Sequence, residues 1–434
     1  MEEDKTKSKN KIYIGIVVAL IIVLAICGTV YYYKDYFSAS SESKSSISSS
    51  TKTATNKEDS DNETATLTRS VDEKNIEITE SGTHELSGEY ESVTIKANGN
   101  VELKLNNVEI TSDDGPAIYV EGAKNVEIVL SGKNKITATT TEDFDGAIYS
   151  KADLVISGDG ELEVVSNYDG IVSKDTLTIK DGTYTINSED DGIRGKDSVE
   201  IVNGTYTITA AGDGIKSTND EDTDLGYIKI SEGKFNITAG DDAINAITTL
   251  TIEDGDFTIT AKDDAIHADG MIEIKGGNYS ITAAEGIEAT YVKIDDGTIN
   301  INASDDGINA GNKSDQYSAK IEINGGKITI KMGQGDTDGI DSNGDIIING
   351  GTIDITANSS FDYDGKAEKN GGTIIINGTE TDTIPNQMMG GGQAKGFGGE
   401  MPNGQQFNQN GEMPEGKQFK NDGNMPTGQK RMKQ

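Results

Sequence analysis

The amino-acid sequence predicts an all-β protein: a right-handed parallel β-helix of about 22 residues per coil, preceded by an N-terminal transmembrane helix. Three observations lead there. Between Asn167 and Ala310 a corner motif recurs as Asp169-Gly170-Ile171, Asp191-Gly192-Ile193, Asp213-Gly214-Ile215, Asp242-Ala243-Ile244, Asp264-Ala265-Ile266, Glu285-Gly286-Ile287 and Asp306-Gly307-Ile308. Its acidic residues stand 22, 22, 29, 22, 21 and 21 apart, and a fixed period of that size marks a repeat architecture. Within each period, runs such as Leu177-Thr178-Ile179 and Thr183-Tyr184-Thr185-Ile186 alternate apolar with polar residues, the mark of half-buried strands. Asp-Gly or Gly-Gly pairs separate the runs and no helical periodicity intervenes, so each coil holds three short strands.

The chain opens with an uncharged stretch, Ile12 to Tyr33, which at ~1.5 Å per residue spans a ~30 Å hydrocarbon core. Lys5, Lys7, Lys9 and Lys11 precede it, which places the N-terminus in the cytoplasm and the rest of the chain outside. Two alternatives compete with this anchor of residues 1–37. A cleaved signal peptide would have a shorter apolar run and a small-x-small site. A lipoprotein would use Leu24-Ala25-Ile26-Cys27-Gly28, but Ile26 stands where a small residue is expected and apolar residues continue beyond Cys27. Cys27 is the sole cysteine, so the fold contains no intramolecular disulfide.

Residues 38–66 are rich in Ser, Thr, Lys and Asp with few large apolar side chains, and are expected to form a disordered spacer. The folded domain is expected over 67–385. Its first strands are less regular, among them Ile76-Glu77-Ile78, Val93-Thr94-Ile95 and Val101-Glu102-Leu103-Lys104-Leu105. Roughly eleven coils, each rising ~4.8 Å, would make a rod about 50 Å long. Tyr184, Tyr206, Phe235, Phe257 and Tyr279 share one repeat position, two residues before an Ile, so they point inward with the isoleucines as a stacked ladder. The alternative, an outward platform for sugar rings, also lacks support from tryptophan, which is absent. From about Asn386 to Gln434 the chain turns to Gly, Gln, Asn and Met-Pro, a low-complexity tail expected to be disordered.

Charge narrows the function. The net charge is −36, and residues 67–385 hold 24 of the 38 basic and 61 of the 74 acidic residues, a local net charge of −37. Nucleic acid is excluded as a partner by sign. No feature of the pattern sets an oligomeric state.

The acids also sit in a pattern. Adjacent coils of a β-helix stack about 4.8 Å apart, so Asp190 and Asp191, Asp241 and Asp242, Asp263 and Asp264, and Asp305 and Asp306 form one corner row, with Asp169, Asp213 and Glu285 completing it. Stacked carboxylates raise one another's pKa, whereas Ca²⁺ takes oxygen ligands at ~2.3–2.6 Å and can be bracketed by carboxylates of neighbouring coils. Where the period breaks, Asp143, Asp145, Asp336 and Asp338 lie in Asp-x-Asp-Gly sequences and join the candidate Ca²⁺ ligands. The longer coil carries Asp220-Glu221-Asp222-Thr223-Asp224-Leu225-Gly226, which opens like an EF-hand loop. Its glycine comes one place late and Ser231 replaces the bidentate Glu, leaving a generic calcium loop or a solvated insertion.

The corner motifs, the Leu-x-Ile strands, the N-terminal anchor and the Gly-Met-Pro tail together resemble a bacterial carbohydrate-binding β-helix family with a pectate-lyase-like fold. The resemblance implies a surface protein that binds calcium and a cellulosic or acidic plant-type polysaccharide, without catalysis. The residues after the corner isoleucines read Val172, Arg194, Lys216, Asn245, His267, Glu288, Asn309 and Asp341 and are expected to face solvent. Arg194, Lys216, Asn245 and His267 are the candidate polysaccharide-binding residues, since cations there can meet uronate carboxylates; the competing reading is an ordinary solvated stripe. Two other functions stay open: a calcium-dependent polysaccharide lyase, with Arg194 or His267 as base, and a structural or adhesive stalk.

Overall fold

The computed structural model describes residues 74–333 and 337–387. The expected membrane segment with Cys27, the spacer, Asp336 and the tail from Met388 onward lie outside the described residues. Among the described residues there is no helix, and the chain forms an all-β solenoid of the right-handed type, with about 13 turns of about 22 residues. Three ladders of parallel strands run its length. A representative turn consists of a corner strand, Ile193–Gly195, a middle strand, Ser198–Ile201, and a ring strand, Thr205–Ala210. Each pairs in parallel with its equivalent one turn on: Ile193 with Ile215, Val199 with Ile228 and Tyr206 with Phe235.

Alternation dictates which side chains enter the core. The ring strands show a strict exposed-buried pattern, so Ile186, Ile208, Ile237 and Ile259 stack inside while the intervening Thr and Asn face water. The aromatic row points inward as expected. Tyr184, Tyr206, Phe235, Phe257 and Tyr279 are buried, with ring centroids 4.6 to 5.0 Å apart and interplanar angles of 1 to 4°. That separation is the strand spacing itself, so parallel register forces the rings face to face. Each tyrosine hydroxyl still finds a partner at the turn three residues back: Tyr184 Oη donates to Asp181 O at 2.7 Å and Tyr206 Oη to Asn203 O at 2.8 Å. The turn needs glycine for a concrete reason. Gly204 has φ +132°, and a Cβ there would lie 2.8 Å from the Tyr206 hydroxyl.

The eleven coils counted from sequence fall short because the first turns lack the Asp-Gly-Ile corner. Strands Gly82–Tyr90 and Asn100–Ser112 each run continuously through a bend and serve two faces, with a register shift between Leu86 and Gly88 marking the corner. At the other end, Thr373–Ile376 pairs antiparallel with Thr379–Thr381 across Asn377 (φ 50°) and Gly378 (φ 77°), an Asn-Gly hairpin that covers part of the last turn's open edge. Asn386 and Gln387 also bond to that turn: Asn386 Nδ2 donates to Tyr363 O at 2.7 Å, and Gln387 Oε1 accepts from Ser360 N at 2.6 Å.

Candidate functional site

The corner strands carry the chemistry, and their motif is explained residue by residue. Glycine follows the acid because the next turn passes close by: a Cβ on Gly170 would meet Gly192 O at 2.5 Å. The acid itself replaces a backbone partner at the bend. Asp169 Oδ1 accepts the Asp191 N–H at 2.9 Å, Asp191 Oδ1 that of Asp213 at 2.9 Å, Asp213 Oδ1 that of Asp242 at 2.9 Å and Asp242 Oδ1 that of Asp264 at 2.8 Å. Further along, Asp306 Oδ1 accepts the Asp338 N–H at 3.0 Å. The corner row is therefore a hydrogen-bonded ladder at Asp169, Asp191, Asp213, Asp242 and Asp306, with one oxygen of each of these carboxylates committed to the next turn.

The second oxygen faces the residue after the corner isoleucine. Lys216 Nζ lies 2.6 Å from Asp213 Oδ2 and 3.7 Å from Asp191 Oδ2. Asn245 Nδ2 donates to Asp242 Oδ2 at 2.8 Å and to Asp213 Oδ2 at 3.3 Å. Arg194 pairs with Asp145 and Asp169, and its Nε stands 3.8 Å from Asp191 Oδ2. The Arg194 contact with Asp169 is a charge contact without a directed hydrogen bond, since Asp169 Oδ2 and Arg194 Nε are both buried without hydrogen-bond partners. His267 sits among Asp264 at 2.7 Å, Glu288 at 3.1 Å and Asp269 at 3.3 Å. Asn309 then donates to Glu285 and Glu288, and Lys313 pairs with Glu288 at 2.9 Å.

The four residues expected to bind sugar thus do form one stacked stripe, in register from Arg194 to Lys216 to Asn245 to His267. The stripe is not the free, solvated row anticipated. Arg194 and His267 side chains are 17% and 12% exposed, and Val172 and Glu288 at the same position are buried. The physical reason is the ladder: the outward oxygen of each buried acid draws the neighbouring cation or amide down onto the strand.

The candidate metal ligands separate into classes. Asp169 with Asp190 and Asp191, Asp213 with Asp241 and Asp242, Asp242 with Asp264 and His267, and Asp264 with Glu285 and Glu288 each bring their ligand atoms within 4.8 Å of one another. Asp143, Asp263 and Asp305 are exposed and join none of these groups, while Asp145 serves Arg194 and Lys174. The acids of the 220–226 loop are exposed and likewise join none; the loop is organised by Asn219, whose Oδ1 accepts the Glu221 and Asp222 amides. Asp306 and Asp338 also join none of these groups and lie at the C-terminal end of the row. There Asp341 stacks on Asp362, and the buried Thr337 Oγ1, Ser359 Oγ and Asp362 Oδ1 have no hydrogen-bond partner. Glu288, Lys313 and Asp341 complete the site beyond the acids of the corner row and the four stripe residues picked from sequence. Glu288 and Asp341 were legible from their repeat position; Lys313 lies on an insertion with no periodic signal.

Burial dominates the electrostatics. It pushes the Asp169 and Asp242 carboxyls up to about 7, with nearby corner acids adding to the effect, and it does the same to Asp306. Burial and Glu288 push Glu285 up to about 8. Repulsion between stacked carboxylates, expected from sequence, is present but secondary. For His267 burial pulls the pKa down, yet the carboxylates of Asp264, Asp269 and Glu288 overcome it and hold the imidazolium up to about 12.

Fold and site together describe an acidic parallel β-helix whose corner acids are paired with a stripe of cations and amides. The chain belongs to the carbohydrate-binding domain-containing protein family, whose model matches residues 72–264 and 259–389. A carbohydrate-binding domain-containing protein of Acetivibrio thermocellus is 32% identical over 125 residues, covering 25% of this chain and 44% of that protein. The chain thus spans less than half the length of this relative. A solved structure, the polysaccharide lyase-like protein from C. thermocellum as its gadolinium derivative, is 29% identical with a TM-score of 0.40, covering 51% of this chain and 89% of that one.

Proposed function

We propose that this chain is a calcium-assisted, non-catalytic polysaccharide-binding protein of the cell surface, acting on cellulosic or acidic plant-type polysaccharide. Membership of the carbohydrate-binding family supports the binding part, and the apolar segment 12–33 read from the sequence supports the location. The observation that carries the calcium part is the C-terminal end of the corner row. From Asp169 to Glu288 each corner acid faces Arg194, Lys216, Asn245, His267, Asn309 or Lys313. Asp306, Asp341 and Asp362 make no ion pair among the described residues, and burial together with neighbouring acids raises Asp306 to about 7 and Asp341 to about 6. A donor set of carboxylates and hydroxyls is hard and all-oxygen, which fits Ca²⁺ rather than zinc or copper. Asp306, Asp338, Asp341 and Asp362, with Ser359 and Thr337, would hold it; once bound, the ion would neutralise this end and present open coordination positions to sugar oxygens.

Two observations favour binding over turnover. Arg194 is largely enclosed by Asp145, Asp169 and Asp191, and His267 is held as imidazolium, so both candidate bases are kept in their protonated forms. In this reading Arg194, Lys216, Asn245 and His267 line the strip beside the ligand while neutralising the acids beneath.

The test is retention of the full chain on cellulose and on polygalacturonate, with calcium and with chelator, while unsaturated product is followed by absorbance. Calcium-dependent retention without product is expected. Product formation would make the protein a lyase, and loss of retention on both polymers in both conditions would leave a structural stalk.

A further inference from the structure

We infer that the stacked side chains of Asn370, Asn349 and Asn324 form a modification site, a ladder that sheds its amides as ammonia in order, from the last turn inward. The ladder lies at the corner between middle and ring strands, away from the acid row.

Three consecutive turns carry the same sequence at that corner: Asn324-Gly325-Gly326, Asn349-Gly350-Gly351 and Asn370-Gly371-Gly372, each directly after a middle strand and before a ring strand. The fold imposes the first glycine. A Cβ on Gly325 would run into Asp295 O, one on Gly350 into Asn324 O and one on Gly371 into Asn349 O. Glycine also leaves its own nitrogen open to the preceding carboxamide, because no side chain shields it. Close stacking of the turns therefore fixes a reactive, thermolabile dipeptide three times over.

The side chains link across the turns in one direction. Asn370 Nδ2 donates to Asn349 Oδ1 at 2.9 Å, Asn349 Nδ2 to Asn324 Oδ1 at 2.7 Å, and Asn324 Nδ2 to Asp295 Oδ1 at 2.8 Å and Glu322 Oε1 at 3.4 Å. Among the described residues one side-chain bond thus holds Asn370, two hold Asn349 and three hold Asn324. Asn370 and Asn349 are exposed, and Asn324 is half-buried. Reaction requires the carboxamide to swing towards its own glycine nitrogen, and each ladder bond opposes that swing. Asn377-Gly378 on the terminal hairpin is clamped at both ends of its amide: Oδ1 accepts the Ala357 N–H at 3.2 Å and Nδ2 donates to Ala357 O at 2.9 Å.

In the first step the Gly371 nitrogen bonds to Asn370 Cγ and gives up its proton, the Cγ–Nδ2 bond breaks, and ammonia leaves a succinimide behind. Water then opens that ring to aspartate or isoaspartate. Either product puts a carboxylate where the ladder had a donor, so Asn349 Oδ1 loses its partner and faces a negative charge. The Asn349 amide is then free to react in its turn. Isoaspartate also lengthens the backbone by one methylene at the corner where successive turns pass closest.

The test is peptide mapping by mass spectrometry of the full chain during incubation in mildly alkaline buffer, native and in urea, for the wild type and Asn370→Asp. In the native wild type, conversion of amide to acid is expected at Asn370 first, Asn349 next and Asn324 last, with Asn377 slower than Asn370. In Asn370→Asp the initial rate at Asn349 is expected to rise about fivefold, the factor that one hydrogen bond sets. In urea the three sites share the Asn-Gly-Gly sequence without the ladder and are expected to convert at similar rates. Native conversion of Asn349 or Asn324 ahead of Asn370, or an equally graded order in urea, would overturn the ladder as the control. An unchanged Asn349 rate in Asn370→Asp would rule out inward progress, and amides that all stay intact would remove the site.

Discussion

Asp213 accepts the Asp242 amide on Oδ1 at 2.9 Å and meets the Lys216 ammonium on Oδ2 at 2.6 Å, so its two oxygens serve different bonds. Substitutions can separate them. Asp213→Asn keeps a carbonyl oxygen for the Asp242 amide and loses the charge. Asp213→Ala loses both and leaves a buried N–H without an acceptor, at a cost of about 2 kcal/mol. Hydrogen exchange at the Asp242 amide is therefore expected to accelerate some 30-fold in Asp213→Ala, at roughly tenfold per 1.4 kcal/mol, and far less in Asp213→Asn. Equal acceleration in both variants would show that the charge, and not the amide bond, holds the corner. The dual use explains how far the site was legible. Acids at a fixed corner position, and cations three residues on, are visible as a pattern in the sequence. That the cations fold back onto the acids depends on burial, which periodicity does not encode.

At the scale of the strand, the ring ladder shows how parallel register turns a repeated residue type into a continuous structure. Phe235 stacks on Tyr206 at 4.8 Å and on Phe257 at 4.6 Å, so its removal opens a cavity between two rings that the solenoid walls keep apart. Phe235→Ala is expected to cost ~3–5 kcal/mol, read as a lower midpoint in urea unfolding. Tyr206→Phe, which removes only the Oη bond to Asn203 O, is expected to cost about 1 kcal/mol. A ladder variant that unfolds at the wild-type midpoint would mean the rings do not hold adjacent turns together. The inward direction of this row was legible because the isoleucine two residues on shares its face. The number of turns was not, because strands such as Asn100–Ser112 bend between faces without an Asp-Gly mark. A hydrophobic alternation that continues through a corner looks like one long strand until the pairing partners are known.

For the whole molecule, the buried acids couple stability to pH. Asp169, Asp242 and Asp306 titrate near 7 and Glu285 near 8, all raised first by burial, against ordinary values of 3.8 and 4.5. The folded state therefore holds more protons than the unfolded state between about pH 4 and pH 8, and unfolding free energy falls as pH rises through that window. His267 acts in the same sense. Its folded pKa of about 12 exceeds the unfolded value of 6.5, so its stabilisation is complete below pH 6.5 and declines above it. In chelator, the melting temperature is expected to fall from pH 5.5 to pH 8.5. On the calcium reading proposed above, the ion would replace protons at the C-terminal acids and raise the melting temperature most at pH 8.5 and little at pH 5.5, where Asp306 is already largely protonated. Scanning calorimetry at the two pH values, with and without calcium, measures both effects. A melting temperature that rises with pH in chelator would contradict the burial of these carboxylates. A pH slope of the expected sign with no response to calcium would leave the acid row intact as a proton-linked ladder and remove the metal from it.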